Sequence, residues 1–287
     1  MKNFKIKSFC KINLSLRVIK KLNNGYHNIM SLITFCDLYD VITISKIRNS
    51  KDKISFSGKF KKGISKKSNT ATKILNLLRK TKLLKNQAFK INIQKNIPHG
   101  SGLGGGSSNA ANLLNYFGSK MRLKLSKNKI KKLATRIGFD VPVSLERRNT
   151  FLTGKRNEIL RLNRKFRFNL LIVYPNLICS TKKIYEKNRE ISRLKPQSSF
   201  YIKNNKKLIN FLKKEHNDLE KTVVQIYPKI KKIIYYIKSQ KGCYFSRITG
   251  SGSACIGIFS NMKNATYAQK FIKLKYPKYW SAVSKTI

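Results

Sequence analysis

A chain of 287 residues, 41% of them hydrophobic, is long enough to bury one large or two medium cores, which excludes a wholly disordered protein. Its 63 Lys and Arg against 11 Asp and Glu give a formal charge of +52, but the lysines run through every stretch, including residues 59–67, 127–132 and 203–214, with no basic tail. That spread reads as the background of an adenine–thymine-rich gene, attracting RNA non-specifically and salt-sensitively rather than marking a specific nucleic-acid site.

No apolar run approaches the ~20 residues of a membrane helix, the longest being Asn169-Leu-Leu-Ile-Val-Tyr174, so no membrane partner is expected. Residues 1–8 carry lysines without the apolar core of a targeting signal, and a cytoplasmic protein is expected. Cys10, Cys36, Cys179, Cys243 and Cys255 show neither Cys-x-x-Cys spacing nor histidine companions, which argues against zinc and against a disulfide framework.

In chain order, residues 4–19 and 39–47 read as extended, residues 71–78 as a helix, and residues 88–93 alternate as a strand. The next segment, residues 98–111, reads Pro-His-Gly-Ser-Gly-Leu-Gly-Gly-Gly-Ser-Ser-Asn-Ala-Ala. Its glycines let backbone N–H groups close on an anion, and Ser107, Ser108 and Asn109 stand where the positive end of a helix dipole emerges. Ala110, Ala111, Leu113, Leu114 and Phe117 then recur at helical spacing, so the segment reads as a phosphate cradle joining strand to helix. It is not a Walker A loop, since Gly106 is followed by Ser107 rather than lysine, and it lacks the last glycine of a dinucleotide fingerprint.

Ser126 reads as the cap of a helix carrying Ile130, Leu133, Ala134 and Ile137, ended by Gly138, with Asp140 just beyond it. Residues 169–173 read as a strand closed by a turn at Pro175, and helices are predicted over residues 207–212 and 218–226 and from Pro228 to Ile237. Strands over 244–249 and 254–259 flank a Gly250-Ser-Gly252 turn, which reads either as a simple hairpin or as a second set of backbone donors. A final helix is marked by Ala265, Ala268, Phe271 and Ile272.

The string Pro98-x-x-x-Gly102-Leu-Gly104-x-x-Ser-Ser-x-Ala-Ala resembles the phosphate loop of the GHMP kinases. Four more segments agree with that family: Cys10-Lys-Ile-Asn-Leu14, Asn24-Gly-Tyr-His27, Ile137-Gly-Phe-Asp-Val-Pro-Val143 and Thr249-Gly-Ser-Gly-Ser253. They resemble in particular the branch that phosphorylates a cytidine-diphosphate-bearing erythritol for isoprenoid synthesis, and they span nearly the whole chain.

The resemblance implies an α+β fold of two domains, residues 1–160 binding ATP and residues 161–287 forming a carboxy-terminal domain, with the active site in the interdomain cleft. It implies ATP contacts at Pro98, His99, Gly100, Ser101, Gly102, Leu103, Gly104, Gly105, Gly106, Ser107 and Ser108, with Asn69 and Lys95 toward the adenine. Asp140, which alone would read as a turn aspartate, is implied as the base, with Phe139 replacing the family's alanine. Lys11 is implied as its electrostatic partner, following Cys10 where the family has alanine.

Asn13, Tyr26, His27, Thr181 and Tyr185 are implied as substrate contacts, the two tyrosines offering faces to a pyrimidine and His27 its polar edge. Lys182 departs from the small residue usual beside that wall. Magnesium is expected with ATP, and because acids are so few no carboxylate pair is singled out to hold it.

Overall fold

The computed structural model describes residues 3–23, 25–48, 50–65, 68–84, 86–119, 121, 123, 125–154, 158–193 and 204–287. Asn24 of the glycine–tyrosine–histidine segment, and Lys66, Lys67 and Lys203 of the basic stretches, lie outside the described residues.

In chain order the elements are β1 (Phe4–Asn13), β2 (Arg17–Lys21), β3 (His27–Ile47), β4 (Lys53–Ser57), α1 (Thr70–Lys80), β5 (Ala88–Gln94), α2 (Gly105–Ser119), α3 (Lys127–Ile137), α4 (Val141–Ser144), β6 (Thr150–Thr153) and β7 (Ile159–Arg161). They continue as β8 (Asn169–Tyr174), α5 (Thr181–Lys187), α6 (Asn205–Lys214), α7 (Leu219–Ile226), α8 (Lys229–Lys238), β9 (Cys243–Ile248), β10 (Cys255–Phe259), α9 (Met262–Lys275) and β11 (Trp280–Lys285). The mixed α and β content meets the α+β expectation.

The chain forms two compact units and passes between them repeatedly. The first comprises Met1–Lys11, Leu38–His99 and Gly104–Arg147, and the second Ile12–Asp37, Gly100–Leu103 and Arg148–Ile287. These interleaved units are a different partition from the functional border expected near residue 160.

In the first unit, β5 lies between β4, which it pairs in parallel, and the second half of β3, which it pairs antiparallel from Val41↔Gln94 to Ile47↔Ala88. The alternation of Phe89, Ile91 and Ile93 puts one face of this sheet into a core with Ile42 and Ile44. Helix α1 covers it with Ala71, Ile74, Leu75 and Leu78, and α2 with Ala110, Leu113, Leu114 and Phe117. Two side-chain caps set where helices begin: Asn69 Oδ1 accepts from Thr72 N at 2.9 Å, and Ser126 Oγ accepts from Lys129 N at 3.2 Å.

In the second unit, β2 and β6 pair with the first half of β3, and β7 pairs with β6. A separate antiparallel sheet runs in the order β11-β8-β10-β9, with Val173, Ile248 and Cys255 packed against α8 residues Ile230, Ile233 and Ile237 and α9 residues Ala265, Ala268 and Ile272. Burial pushes the Cys179 thiol up to about 11 and that of Cys243 up to about 12, so both behave as inert apolar groups. Among the described residues, no helix is long and apolar enough to cross a membrane.

Candidate active site

The glycine-rich segment leaves β5 and enters α2, whose first helical bond runs from Ser108 N to Gly104 O at 2.9 Å. The amides of Gly105, Gly106 and Ser107 are therefore those that any helix start leaves without a carbonyl one turn back, at the positive end of the helix dipole. Gly106 is exposed and Ser107 half-buried, while Ser108 is buried. Gly104 has φ +65°, and a Cβ there would lie 2.4 Å from Lys11 Cγ, so the backbone of the loop presses on the lysine stem.

That lysine ends on Asp140: Nζ lies 3.1 Å from Oδ2, the Lys11 side chain 4% exposed and the Asp140 side chain 38%. Asp140 precedes α4, the short helix of the Asp-Val-Pro-Val motif. Its carbonyl accepts from Ser144 N at 3.2 Å and from Ser144 Oγ at 3.1 Å, which fixes the turn and leaves the carboxylate to Lys11. Ser108 Oγ donates in turn to Ser144 Oγ at 3.4 Å, linking α2 to the aspartate's turn.

Behind the loop, in the same unit, lies a buried polar cluster. Lys95 forms an ion pair with Asp40, and Asp40 also accepts from Asn96 N and Ile97 N, each at 2.8 Å, and from Asn109 Nδ2 at 2.9 Å. One carboxylate thus ties the end of β5 to the first turns of α2. The Lys95 ammonium sits beneath Gly105, 3.4 Å from where a Cβ would be. Asn69 is occupied as the cap of α1, its Nδ2 donating to Ser65 O at 3.0 Å, and His99 Nε2 lies 2.9 Å from Lys62 O.

In the second unit, Gly100–Leu103 rest on the turn after β9. Ser101 O accepts from Ala254 N at 2.9 Å and Gly100 O from Cys179 N at 3.0 Å. Gly102 has φ +81°, and a Cβ there would fall 2.0 Å from Thr249 O, so no larger residue fits. The Gly250-Ser-Gly252 turn does join an antiparallel hairpin, and it also backs the loop.

Asn13 N donates to Thr249 Oγ1 at 2.9 Å and Asn13 Nδ2 to Ser31 Oγ at 2.8 Å. Thr181 Oγ1 lies 2.9 Å from Ser251 Oγ at the same turn. The ring facing Tyr185 is His27, with centroids 5.0 Å apart and planes tilted by 31°, while Tyr26 stands 53% exposed. Burial, with the charge of Lys21, holds the His27 imidazole below its ordinary value, favouring the neutral ring.

The sites named from sequence thus gather into two groups. Lys11, Asp140, Gly104, Gly105, Ser108 and Lys95 meet in the first unit, and Asn13, Thr181, His27, Tyr185 and Ser101–Gly102 in the second. Sequence reasoning missed Asp40, whose only signal was an acid inside a strand of a chain with 11 acids, and the residues that fix the Thr249–Gly252 turn. Among the described residues, no three His, Cys, Asp or Glu side chains gather as a metal site.

The chain matches the family model of the GHMP kinases N terminal domain over residues 69–147 and that of the GHMP kinases C terminal over residues 201–278. It is 41% identical to the 4-diphosphocytidyl-2-C-methyl-D-erythritol kinase of Pelagibacter ubique (strain HTCC1062), over 100% of both chains. With the enzyme of the same name from Wolbachia pipientis wMel it shares 31% identity over 98% of this chain and 97% of the relative. Its fold matches a crystal structure of 4-(cytidine 5'-diphospho)-2C-methyl-D-erythritol kinase with a TM-score of 0.76, at 23% identity over 98% of this chain and 99% of the other.

Proposed function

Because the chain belongs to the 4-diphosphocytidyl-2-C-methyl-D-erythritol kinases, a branch of the GHMP kinases, it is an ATP-dependent small-molecule phosphotransferase, and we propose that Asp140 and Lys11 carry its chemistry. The reaction moves the γ-phosphoryl group of ATP to the 2-hydroxyl of 4-diphosphocytidyl-2-C-methyl-D-erythritol. Asp140 accepts the hydroxyl proton, the freed oxygen bonds to the γ-phosphorus, and the bond from that phosphorus to the bridging oxygen of ADP breaks. The observation that carries the assignment is the 3.1 Å Lys11–Asp140 ion pair with the lysine stem against Gly104, which supports a base and a cation held beside the start of α2.

In this reading the loop from Pro98 to Ser108 takes the phosphates through its backbone amides, with Asn69 and Lys95 on the nucleoside side. Lys95, committed to Asp40, adds its charge from below Gly105 rather than from an open surface. Ser107 or Ser108, with phosphate oxygens and water, would hold a magnesium ion accompanying ATP, which would supply shielding of the transferring charge. Asn13, Tyr26, His27, Thr181 and Tyr185 take the acceptor. The His27–Tyr185 ring pair supports a cytosine stacked on an aromatic wall, with the neutral imidazole able to both donate and accept. A functional border near residue 160 falls between the two matched family spans, and we place the enzyme in the cytoplasm.

The test is the product and its acceptor requirement. Phosphorus NMR is expected to locate the new phosphate on the 2-hydroxyl, and an acceptor without the cytidine moiety, or a Tyr185→Ala enzyme with the full acceptor, is expected to lose about 10²-fold in kcat/KM. Equal use of the truncated acceptor would remove the cytidine assignment.

A further inference from the structure

We infer that Asn217 is a positioning residue for ATP, acting through the turn that backs the phosphate loop; the inference rests on the kinase reading above. Asn217 is 4% exposed, and its whole amide is committed to backbone: Nδ2 donates to Gly250 O at 2.8 Å and to Ile248 O at 3.3 Å, while Oδ1 accepts from Leu219 N at 3.0 Å. One planar group therefore joins the end of β9, the glycine turn and the start of α7. A buried carbonyl that loses such a donor is left unmet, so the turn has one strongly preferred position while the amide is present.

The turn in question touches the phosphate loop directly. Ser101 O accepts from Ala254 N, and the backbone of Gly102 is pressed so closely on Thr249 that no Cβ fits between them. Asn13, a proposed acceptor contact, reaches the same Thr249 through its backbone amide. Shifting Gly250 thus shifts the seat of Ser101 and Gly102.

Asn217 is itself held by an unusual concentration of charge. Three of the chain's 11 acids fall within residues 215–220, and together they tie the segment to β2, to Ser192 and to the end of β9. Glu215 takes Arg17 in a two-pronged pair at 2.8 and 2.9 Å, Asp218 accepts from Val18 N at 2.7 Å and Ser192 Oγ at 2.8 Å, and Glu220 accepts from Ile248 N at 2.9 Å. Leu16 N donates to His216 O and Asp218 N to Leu16 O, so the segment is also zipped to the strand that follows Asn13. In a chain that has so few acids, this clustering marks a segment whose placement matters.

The experiment compares the wild type with Asn217→Ala and with Ser192→Ala, a control that loosens the same segment without touching Gly250. Steady-state constants for ATP and for the acceptor are measured separately, alongside thermal unfolding. Asn217→Ala is expected to raise the KM for ATP about 10- to 100-fold with little change in the KM for the acceptor, because a displaced loop loses aligned contacts. Ser192→Ala is expected to keep both constants.

A folded Asn217→Ala enzyme with wild-type KM for ATP would overturn the inference, and so would a parallel fall of all constants that tracks the folded fraction. If Asn217→Ala does not fold, Asn217→Ser, whose hydroxyl stops short of the two carbonyls, is read in the same way. A folded wild type that turns over no acceptor would instead overturn the kinase reading itself.

Discussion

At the scale of the residue, the proposed chemistry rests on Lys11 being held where its ammonium meets Asp140, with the backbone of Gly104 against its stem. Gly104→Ala would place a methyl 2.4 Å from the Lys11 stem and force an L residue to φ +65°. A folded variant is expected to lose about 10²-fold or more in kcat/KM, measured with circular dichroism as the folding control; wild-type kcat/KM would show that Lys11 is not set by that contact. The pairing of Lys11 with Asp140 was legible only because both sit in recognisable motifs, since no periodicity links residues so far apart in the chain. Asn217 and Asp40 were not legible, because side chains whose partners lie mostly far away in the chain leave no local pattern. Of the residues expected to take the cytidine, His27 is the one whose ring faces Tyr185, while Tyr26 precedes β3 and stands 53% exposed.

At the scale of the element, the join of β5 to α2 depends on Asp40, which bonds Lys95, two strand-end amides and Asn109 at once. Asp40→Ala leaves the Lys95 charge buried without its counter-charge and is expected to cost about 3–5 kcal/mol, read from urea unfolding at fixed salt. A loss under about 1 kcal/mol would contradict the role of the cluster, since that is the range of surface pairs. Helices α1 and α3 were readable from their apolar stripes, and α3 also from its Ser126 cap, whereas Asn69 was not read as the cap of α1. The first half of β3 was not read, because Met30 to Cys36 are buried without the alternation that marks a half-exposed strand. The strands β6 and β7, of 4 and 3 residues, escaped for want of length, and the edge strand β11 was not read.

At the scale of the whole molecule, the charge of +52 looks at first like the dominant functional signal. The placement of the few acids argues otherwise. Asp52 takes Arg79 and the Phe89 amide, Asp37 takes Ser284 and the Lys285 amide, Asp40 takes Lys95, Asp140 takes Lys11, and Glu215 takes Arg17. These five acids stand where the fold or the proposed chemistry has a specific partner for them, against a background of lysine. Such a surface repels itself, so kinetics belong at moderate salt.

The most direct test is acceptor-dependent ADP release with 4-diphosphocytidyl-2-C-methyl-D-erythritol and magnesium, for the wild type and Asp140→Asn, each with a no-acceptor control. The wild type is expected to release ADP only with acceptor, and the variant to lose about 10²–10⁴-fold of that rate while keeping its fold. A folded wild type without acceptor-dependent release, or an Asp140→Asn enzyme as fast as the wild type, would contradict the assignment of Asp140 as the base of this kinase.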